Sequence, residues 1–131
     1  MARITVQPLF KNLSLSAGDT ATAGPIDLRY CANRGELSLA HSNAAGTSTT
    51  CGTTVFTYVG CSLFDGTYVA PDGAKSIGTS GPAIAGKIIS FRGESGTNAI
   101  AVVPFMNIIA TQTGVGGTGA NSKVTAELIV Q

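Results

Sequence analysis

Short runs of apolar and β-branched residues alternate along the chain with Gly, Ser, Thr, Asn and Asp. This pattern is typical of an all-β domain, in which short strands are separated by tight turns. No window keeps the 3.6-residue period of an amphipathic helix. The predicted strands cover residues 4–6, 9–15, 26–30, 36–41, 53–61, 67–69, 87–91, 99–109 and 123–130.

The last of these segments is the one place where a helix competes with a strand. Ala126 and Leu128 are good helix formers. The β-branched residues around them favour a strand, and apolar and polar positions alternate from residue 123 to residue 128. The sequence therefore predicts a strand with one wet face.

Turn signals divide these segments. Asp65-Gly66 and Asp72-Gly73 are dipeptides that suit tight turns. Gly18-Asp19 and Gly24-Pro25 are expected to bracket a loop before the strand at 26–30.

Proline and runs of small residues define the remaining breaks. Pro104 implies an edge strand, a bulge or a break within 99–109. The stretches 43–52 and 111–121 are predicted to be exposed loops. Nine short strands predict an all-β, antiparallel two-sheet sandwich or jelly roll with little or no helix. Residues 1–131 are expected to form a single domain, in which 1–10 serve as a first strand or as an extended N-terminal arm.

Charge is low. Of 131 residues, 11% are charged and the formal net charge is +1, whereas an average soluble domain has about 25% charged residues. This balance argues against nucleic acid as a partner, because phosphate binding needs clustered Lys and Arg. A weakly charged, Thr- and Ser-rich surface favours association with copies of the chain or with another protein.

Targeting signals are not apparent. The first twenty residues contain no apolar block of the secretory kind, and the longest apolar stretch, 99–110, is too short to cross a bilayer as a helix. We expect a soluble protein that is made in a cytosol and has no membrane partner.

Three cysteines, Cys31, Cys51 and Cys61, form no CxxC pair. An odd count without that spacing is typical of neither a disulfide framework nor a zinc site. The sequence favours reduced thiols that pack as small apolar side chains. A Cys51–Cys61 bridge between strands is the alternative, and it requires an oxidising environment.

Two possible sites depend on single features. Gly114, Gly116 and Gly119 match GxGxxG, but a dinucleotide loop opens a helix and has an acidic residue about twenty positions later. Only twelve residues follow Gly119, and they form a predicted strand. His41 is the single histidine, and no nucleophile-elbow motif accompanies it, so a surface histidine is favoured.

Charged side chains offer little chemistry. The carboxylates lie mainly at turns, where Asp bonds nearby backbone, although two of them meeting in space as an acid–base pair stays open. The arginines are isolated and suit ion pairs with acidic groups of a protein partner. We expect no catalytic, cofactor-binding or metal-binding residue, no enzyme activity and no small-molecule substrate. The carboxylates are Asp19, Asp27, Glu36, Asp65, Asp72, Glu94 and Glu127, and the arginines that follow Arg3 are Arg29, Arg34 and Arg92.

The order of several segments resembles a family of small all-β structural proteins of tailed bacteriophages. The matching segments are Ala17-Gly18-Asp19, residues 25–28, residues 35–39, the aromatic strand and DG turn of 58–71, and the terminal strand 126–131. Where the family has a serine before the turn, this chain has Cys61-Ser62-Leu63-Phe64.

The resemblance implies a capsid decoration, or cement, protein that binds the outer capsid surface. Such a protein bridges subunits of the major capsid protein and stabilises the shell, without catalytic residues. It is made in the host cytoplasm, and shell symmetry favours a homo-oligomer. The alternatives are a phage tail-tube, connector or baseplate component, or a carbohydrate-binding β-sandwich module, which stacks exposed aromatics on sugars.

Overall fold

The computed structural model describes residues 5–16, 18–29, 34–43, 53–70, 78–80, 84–92, 103–113 and 122–130. Within them the regular structure is entirely β. The strands are β1 (Thr5–Leu15), β2 (Thr20–Asp27), β3 (Arg34–Asn43), β4 (Thr53–Cys61), β5 (Gly78–Ser80), β6 (Ile84–Arg92), β7 (Phe105–Thr113) and β8 (Ser122–Val130). No helix long and apolar enough to cross a membrane occurs in these ranges.

The strands form two four-stranded antiparallel sheets. Sheet A has the order β1-β8-β3-β6, and sheet B has the order β2-β7-β4-β5. Almost every connection passes from one sheet to the other, which is how a jelly roll interleaves two Greek keys. The expected all-β, antiparallel two-sheet fold is confirmed.

The core lies between the sheets because apolar residues alternate along the strands. In β4, Phe56 and Tyr58 are buried while Val55, Thr57 and Val59 are half-buried. The same alternation in β7 and β8 buries one side chain in two. The core residues are Phe10, Leu15, Ile26, Phe56, Tyr58, Met106, Ile108, Ala110, Val124, Ala126, Leu128 and Val130.

The first two strands differ from the sequence prediction. The segments 4–6 and 9–15 are expected as separate strands, but Thr5–Leu15 is continuous and pairs with β8, with register shifts at Pro8/Phe10 and Phe10/Leu13. Pro8 is tolerated because β1 is an edge strand of sheet A. Residues 5–10 thus lie in the chain's own sheet, and the single domain over 1–131 stays a prediction.

The loop expected before residue 26 is wrong, because β2 runs through it. Thr20–Asp27 pairs with β7, and the Gly24-Pro25 dipeptide is absorbed by a register shift between Ala23 and Ile26. An edge strand accepts such a bulge since one side of its ladder is unpaired. The predicted strand 26–30 therefore begins too late and ends too late.

The second half of the chain shows smaller differences. Strand β7 extends from Phe105 to Thr113, whereas 99–109 was expected, so Pro104 marks the start of a strand. The expected loop from residue 111 is wrong up to Thr113, which pairs with Thr53. The 67–69 segment forms only an isolated bridge from Val69 to Gly60, and β5 was not predicted.

Candidate functional site

The features weighed as possible chemistry are not brought together in the described residues. Gly114, Gly116 and Gly119 lie outside them, as do Cys31 and Cys51. Cys61 is a half-buried free thiol, and the alternative Cys51–Cys61 bridge involves a residue outside the described ranges. No group of three or more His, Cys, Asp or Glu side chains able to hold a metal occurs in the described part of the chain.

The other polar residues considered as catalytic or binding candidates lie within strands or form hydrogen bonds with nearby backbone. His41 lies within β3, opposite Val124 and Ile84, and not at a surface loop. Asp19 Oδ2 accepts a hydrogen bond from the backbone N–H of Ser16, as expected for a turn carboxylate. Glu36 lies in β3, Glu127 is exposed on β8, and Asp72, Glu94 and Tyr30 lie outside the described residues.

One end of sheet B carries the most distinctive arrangement. Strand β2 ends at Asp27, β7 begins at Phe105, and β4 ends at Cys61, and the register places Phe105 between the other two. Phe105 shares the outward face of β7 with Asn107 and Ile109, yet only 6% of its surface is exposed. An aromatic ring on the outer face of a sheet is buried only if other side chains shield it from solvent.

The cover of Phe105 comes from both neighbouring segments. The ring of Phe64 meets it edge-on, with centroids 5.7 Å apart and an interplanar angle of 80°. The guanidinium carbon Cζ of Arg29 lies 5.1 Å from the centroid of the Phe105 ring, a cation–π distance. The edge-to-face geometry is a favourable one for aromatic rings.

Arg29 is held over the ring by Asp27. Arg29 Nε and its backbone N–H both donate to Asp27 Oδ1 at 3.0 Å, and Nη2 donates to Oδ2 at 2.8 Å. These hydrogen bonds, first that from the side chain, lower the pKa of Asp27. The arginine expected to pair with an acidic partner is therefore already paired within its own chain.

Residues 62–69, which we call the apolar loop, are fixed by their own hydrogen bonds. The N–H of Gly66 donates to the carbonyl of Leu63 at 3.1 Å, and the hydroxyl of Tyr68 donates to the carbonyl of Phe64 at 2.8 Å. Gly60 and Val69 exchange two backbone hydrogen bonds of 2.9 and 3.0 Å. The Asp65-Gly66 turn is confirmed, although it does not join two paired strands.

Tyr68 remains a hydrogen-bond donor over a wide range of pH. Burial raises the pKa of Tyr68, and electrostatic interaction with the neighbouring Cys61 and Asp65 adds to this effect. Tyr68 is therefore protonated at neutral pH and can donate its hydrogen bond to the Phe64 carbonyl.

The apolar loop presents large apolar side chains to solvent. Leu63 is 63% exposed, Phe64 58% and Val69 60%, and Asp65 lies among them. Large exposed apolar side chains that cluster on a rigid segment mark interaction sites more often than scattered ones do. This end of the sandwich is suited to binding a protein surface, because the loop is ordered before contact.

The outer face of sheet B behind this end is uncharged. Cross-strand neighbours on it are Thr, Val, Ile and Asn side chains, such as Thr20 and Thr111, whose hydroxyls lie 3.4 Å apart. Among the described residues of this face, charge appears only at the end that carries Phe105, where Asp27 and Arg29 form their ion pair. The described residues of this face are Thr20, Thr22, Val55, Thr57, Val59, Asn107, Ile109 and Thr111.

Sequence reasoning did not identify the apolar loop. Leu63 and Phe64 stand directly before the Asp65-Gly66 turn, where two adjacent large apolar residues cannot both face a core. This pair of adjacent apolar residues is the sequence feature that indicates an exposed apolar loop. The cover over Phe105 had no signal, because Arg29 and Phe64 reach it from different strands.

Comparisons with known proteins support the fold. No protein-family model matches the sequence, and a search of curated proteins finds no match. Among solved structures, the chain is similar to a chain of infectious bursal disease virus, Gx strain, with a TM-score of 0.56 and 16% identity, over 98% of this chain and 32% of that one. For a chain of the Gt strain the TM-score is 0.47 and the identity 19%, with the same coverage. This chain thus spans about a third of the length of the solved chains it matches, and the likeness to the Gx strain establishes a shared two-sheet fold.

Proposed function

We propose that this chain is a structural protein of a virus particle, without catalytic activity. The observation that carries the proposal is the strand order, β1-β8-β3-β6 facing β2-β7-β4-β5, together with its similarity to a chain in a virus structure. The jelly roll also serves lectins and cupins, so fold alone does not decide function. The described residues favour the virion because they carry neither a metal-ligand cluster nor exposed aromatic stacking rings other than Phe64.

Two of the three tyrosines are poorly placed for the carbohydrate-binding alternative, and Tyr30 lies outside the described residues. Of the three tyrosines, Tyr58 is 3% exposed in the core, and the Tyr68 hydroxyl is bonded to the Phe64 carbonyl. Sugar-binding modules stack rings on the faces of exposed aromatics. The end of sheet B is instead suited to protein contact, since apolar side chains predominate there.

Within this class we propose decoration of a tailed-bacteriophage capsid. The protein, as a homo-oligomer, binds the outer surface of the shell and bridges subunits of the major capsid protein. The low charge and the neutral outer face of sheet B are suited to a protein that functions in contact with other subunits. Many weak, equivalent contacts on a lattice add up through multivalency.

A second candidate is a jelly-roll unit built into a shell. It is favoured by the coverage of the comparison, in which this chain matches about a third of a larger virus chain. Such a unit contacts its neighbours within the shell, whereas a decoration protein is added to a completed one.

Cryo-electron microscopy of purified particles tests these roles. Density for the jelly roll on top of the capsid lattice supports decoration. Density within the shell supports the second candidate, and density confined to the tail supports a tail component. A particle that contains none of this protein refutes the structural role altogether.

A further inference from the structure

The described charges at the loop end of sheet B leave one carboxylate without a partner. Asp27 and Arg29 neutralise each other in their ion pair at 2.8 Å. Asp65 is exposed in the apolar loop, and among the described residues its carboxylate accepts no hydrogen bond and forms no ion pair. The neighbouring side chains of Leu63 and Phe64 are more than half exposed. Within the described ranges, this end therefore presents an apolar patch with one uncompensated negative charge.

The patch is held in place before it meets a partner. Phe64 lies edge-on against the ring of Phe105, which is anchored in β7. The Tyr68 hydroxyl donates to the Phe64 carbonyl at 2.8 Å, and Val69 exchanges two backbone hydrogen bonds with Gly60. An exposed segment of fixed shape loses little conformational entropy when it enters a recess. Large side chains fixed in this way are suited to act as binding anchors.

We propose that the apolar loop is the surface by which this chain docks on a subunit of the virus shell, in an apolar recess with a lysine or arginine at its rim. This inference rests on the proposed structural role, to which it adds the contact surface and the chemistry of the partner. Leu63, Phe64 and Val69 fill the recess, and the cation of the partner pairs with Asp65. The apolar anchors supply most of the affinity, whereas the charge at the edge guides the approach and the orientation.

The uncompensated carboxylate disfavours the other occupants of the loop. A two-fold contact centred on the loop brings the Asp65 carboxylates of two copies together. Arg29, the cation whose side chain is described at this end, is already paired with Asp27. A membrane receives Leu63 and Phe64 only together with Asp65, whose charge is costly to place among lipid tails. A protein surface that combines apolar side chains with a cation meets neither difficulty.

Docking through the loop also determines how the sandwich stands on the shell. The loop follows Cys61, where β4 ends, and Thr53 begins that nine-residue strand about 26 Å away. Thr113, at the end of β7, is paired with Thr53. We expect the row of Thr53 and Thr113 to point away from the shell, so that the strands of sheet B stand end-on.

The binding test uses the full chain and purified shells that were assembled without it. Co-sedimentation over a range of chain concentrations gives the apparent Kd. Leu63→Ser is expected to weaken binding by roughly tenfold, and circular dichroism checks that the variant is folded. Val69→Thr is expected to weaken binding by roughly threefold, whereas Val55→Thr, the same change near the opposite end of β4, should leave it unchanged. Equal effects of the two valine variants overturn the assignment of this surface.

A matched pair of carboxylate variants tests the proposed cation. Asp65→Asn removes the charge of the loop, whereas Glu127→Gln removes an exposed carboxylate from β8 in sheet A. We expect Asp65→Asn to weaken binding by roughly fivefold at low salt and to reduce the loss of affinity caused by about 0.5 M NaCl, since salt screens an exposed charge pair. Glu127→Gln should change neither. An equal salt dependence of wild type and Asp65→Asn contradicts the charge pair and overturns the proposed partner chemistry.

Further outcomes separate this inference from its alternatives and from the proposed function. A dimer of the free chain in sedimentation equilibrium that is lost in Leu63→Ser assigns the loop to a second copy. Binding to vesicles of phosphatidylcholine and phosphatidylglycerol that is lost in the same variant assigns it to a membrane, and either result overturns the inference. Shells that do not bind wild type, or particles whose density shows the loop facing solvent, overturn the inference and leave the virion role standing. Particles that lack the chain refute the role and the inference together.

Discussion

The packing of Val103 on Gly60 makes Gly60→Ala an informative substitution. Gly60 is a buried position at the end of β4, and an added Cβ would lie 2.6 Å from Val103 Cγ1, 2.9 Å from Cβ and 3.0 Å from Cγ2. Carbon atoms in contact are normally about 3.5–4.0 Å apart. Rotation of the valine side chain moves its methyl groups but leaves its Cβ in place, so the backbone must shift.

Two opposing contributions set the magnitude. Overpacking of a filled site costs about 1–3 kcal/mol. Replacing Gly by Ala where φ is ordinary stabilises by about 0.4–1 kcal/mol through the unfolded chain, and Gly60 is not among the glycines of positive φ. We expect a net loss of about 1–2 kcal/mol in the free energy of unfolding, which lowers Tm by roughly 4–8 °C.

A double-mutant cycle with Val103→Ala tests whether the clash with Val103 causes the loss of stability. Val103→Ala removes two of the three carbons that crowd the added Cβ but keeps the Val103 Cβ at 2.9 Å, so Gly60→Ala should cost about 1 kcal/mol less in that background without becoming stabilising. Urea unfolding followed by circular dichroism measures all four proteins. If Gly60→Ala costs as much without the valine methyl groups as with them, the steric reasoning is refuted.

Three further predictions concern other positions. Gly24→Ala should destabilise by about 2 kcal/mol more than Gly18→Ala, because both glycines have positive φ but only the Cβ at residue 24 meets other atoms, among them a backbone carbonyl at 2.8 Å; urea midpoints compare them, and equal losses contradict this. Thr54→Val should lower the free energy of unfolding by about 1–3 kcal/mol, because it leaves the buried Gln112 Oε1 without its 2.9 Å hydrogen bond. Adding Gln112→Met should recover most of this loss, and thermal unfolding of the three proteins measures both effects. Asp27→Asn should lower Tm at neutral pH, because a carboxylate with a lowered pKa stabilises the fold only while it is charged. The difference from wild type should begin to shrink as the pH falls below about 4, the ordinary pKa of Asp, and should vanish only below the lowered pKa of Asp27; a difference that persists at still lower pH would point to a cause other than charge.

Alternation within single strands allowed much of the fold to be predicted. Strand β4 is predicted over Thr53–Cys61, where the structure has it, because the segment is a continuous run of β-branched and aromatic residues that no Pro or Gly interrupts before residue 60. Strand β8 is predicted within one residue because its apolar and polar positions alternate from residue 123 to residue 128. In both strands every second side chain is buried, so the sequence pattern shows directly which side chains belong to the core.

Edge strands could not be predicted in this way, because pairing with the neighbouring strand determines whether they form. Strand β2 reads as a loop in isolation, since Gly24-Pro25 is a turn signal and its other residues are small. Its partner β7 supplies Ile108 and Met106 opposite Ala23 and Ile26, and this pairing overrides the local preference. Turn signals are therefore least reliable where a strand has one free edge to accommodate a bulge.

The candidate site was still less accessible from the sequence, because it is made by contacts between strands distant in the chain. Phe105 is buried on an outward position only because Phe64, 41 residues earlier, and Arg29, 76 residues earlier, converge on it. Taken singly, these residues read as a strand start, a turn flank and an isolated charge. Their convergence holds Phe64 edge-on against Phe105 while more than half of its surface stays exposed. An aromatic side chain fixed on one side and open on the other is prepared to bind, since little conformational entropy remains to be lost on contact.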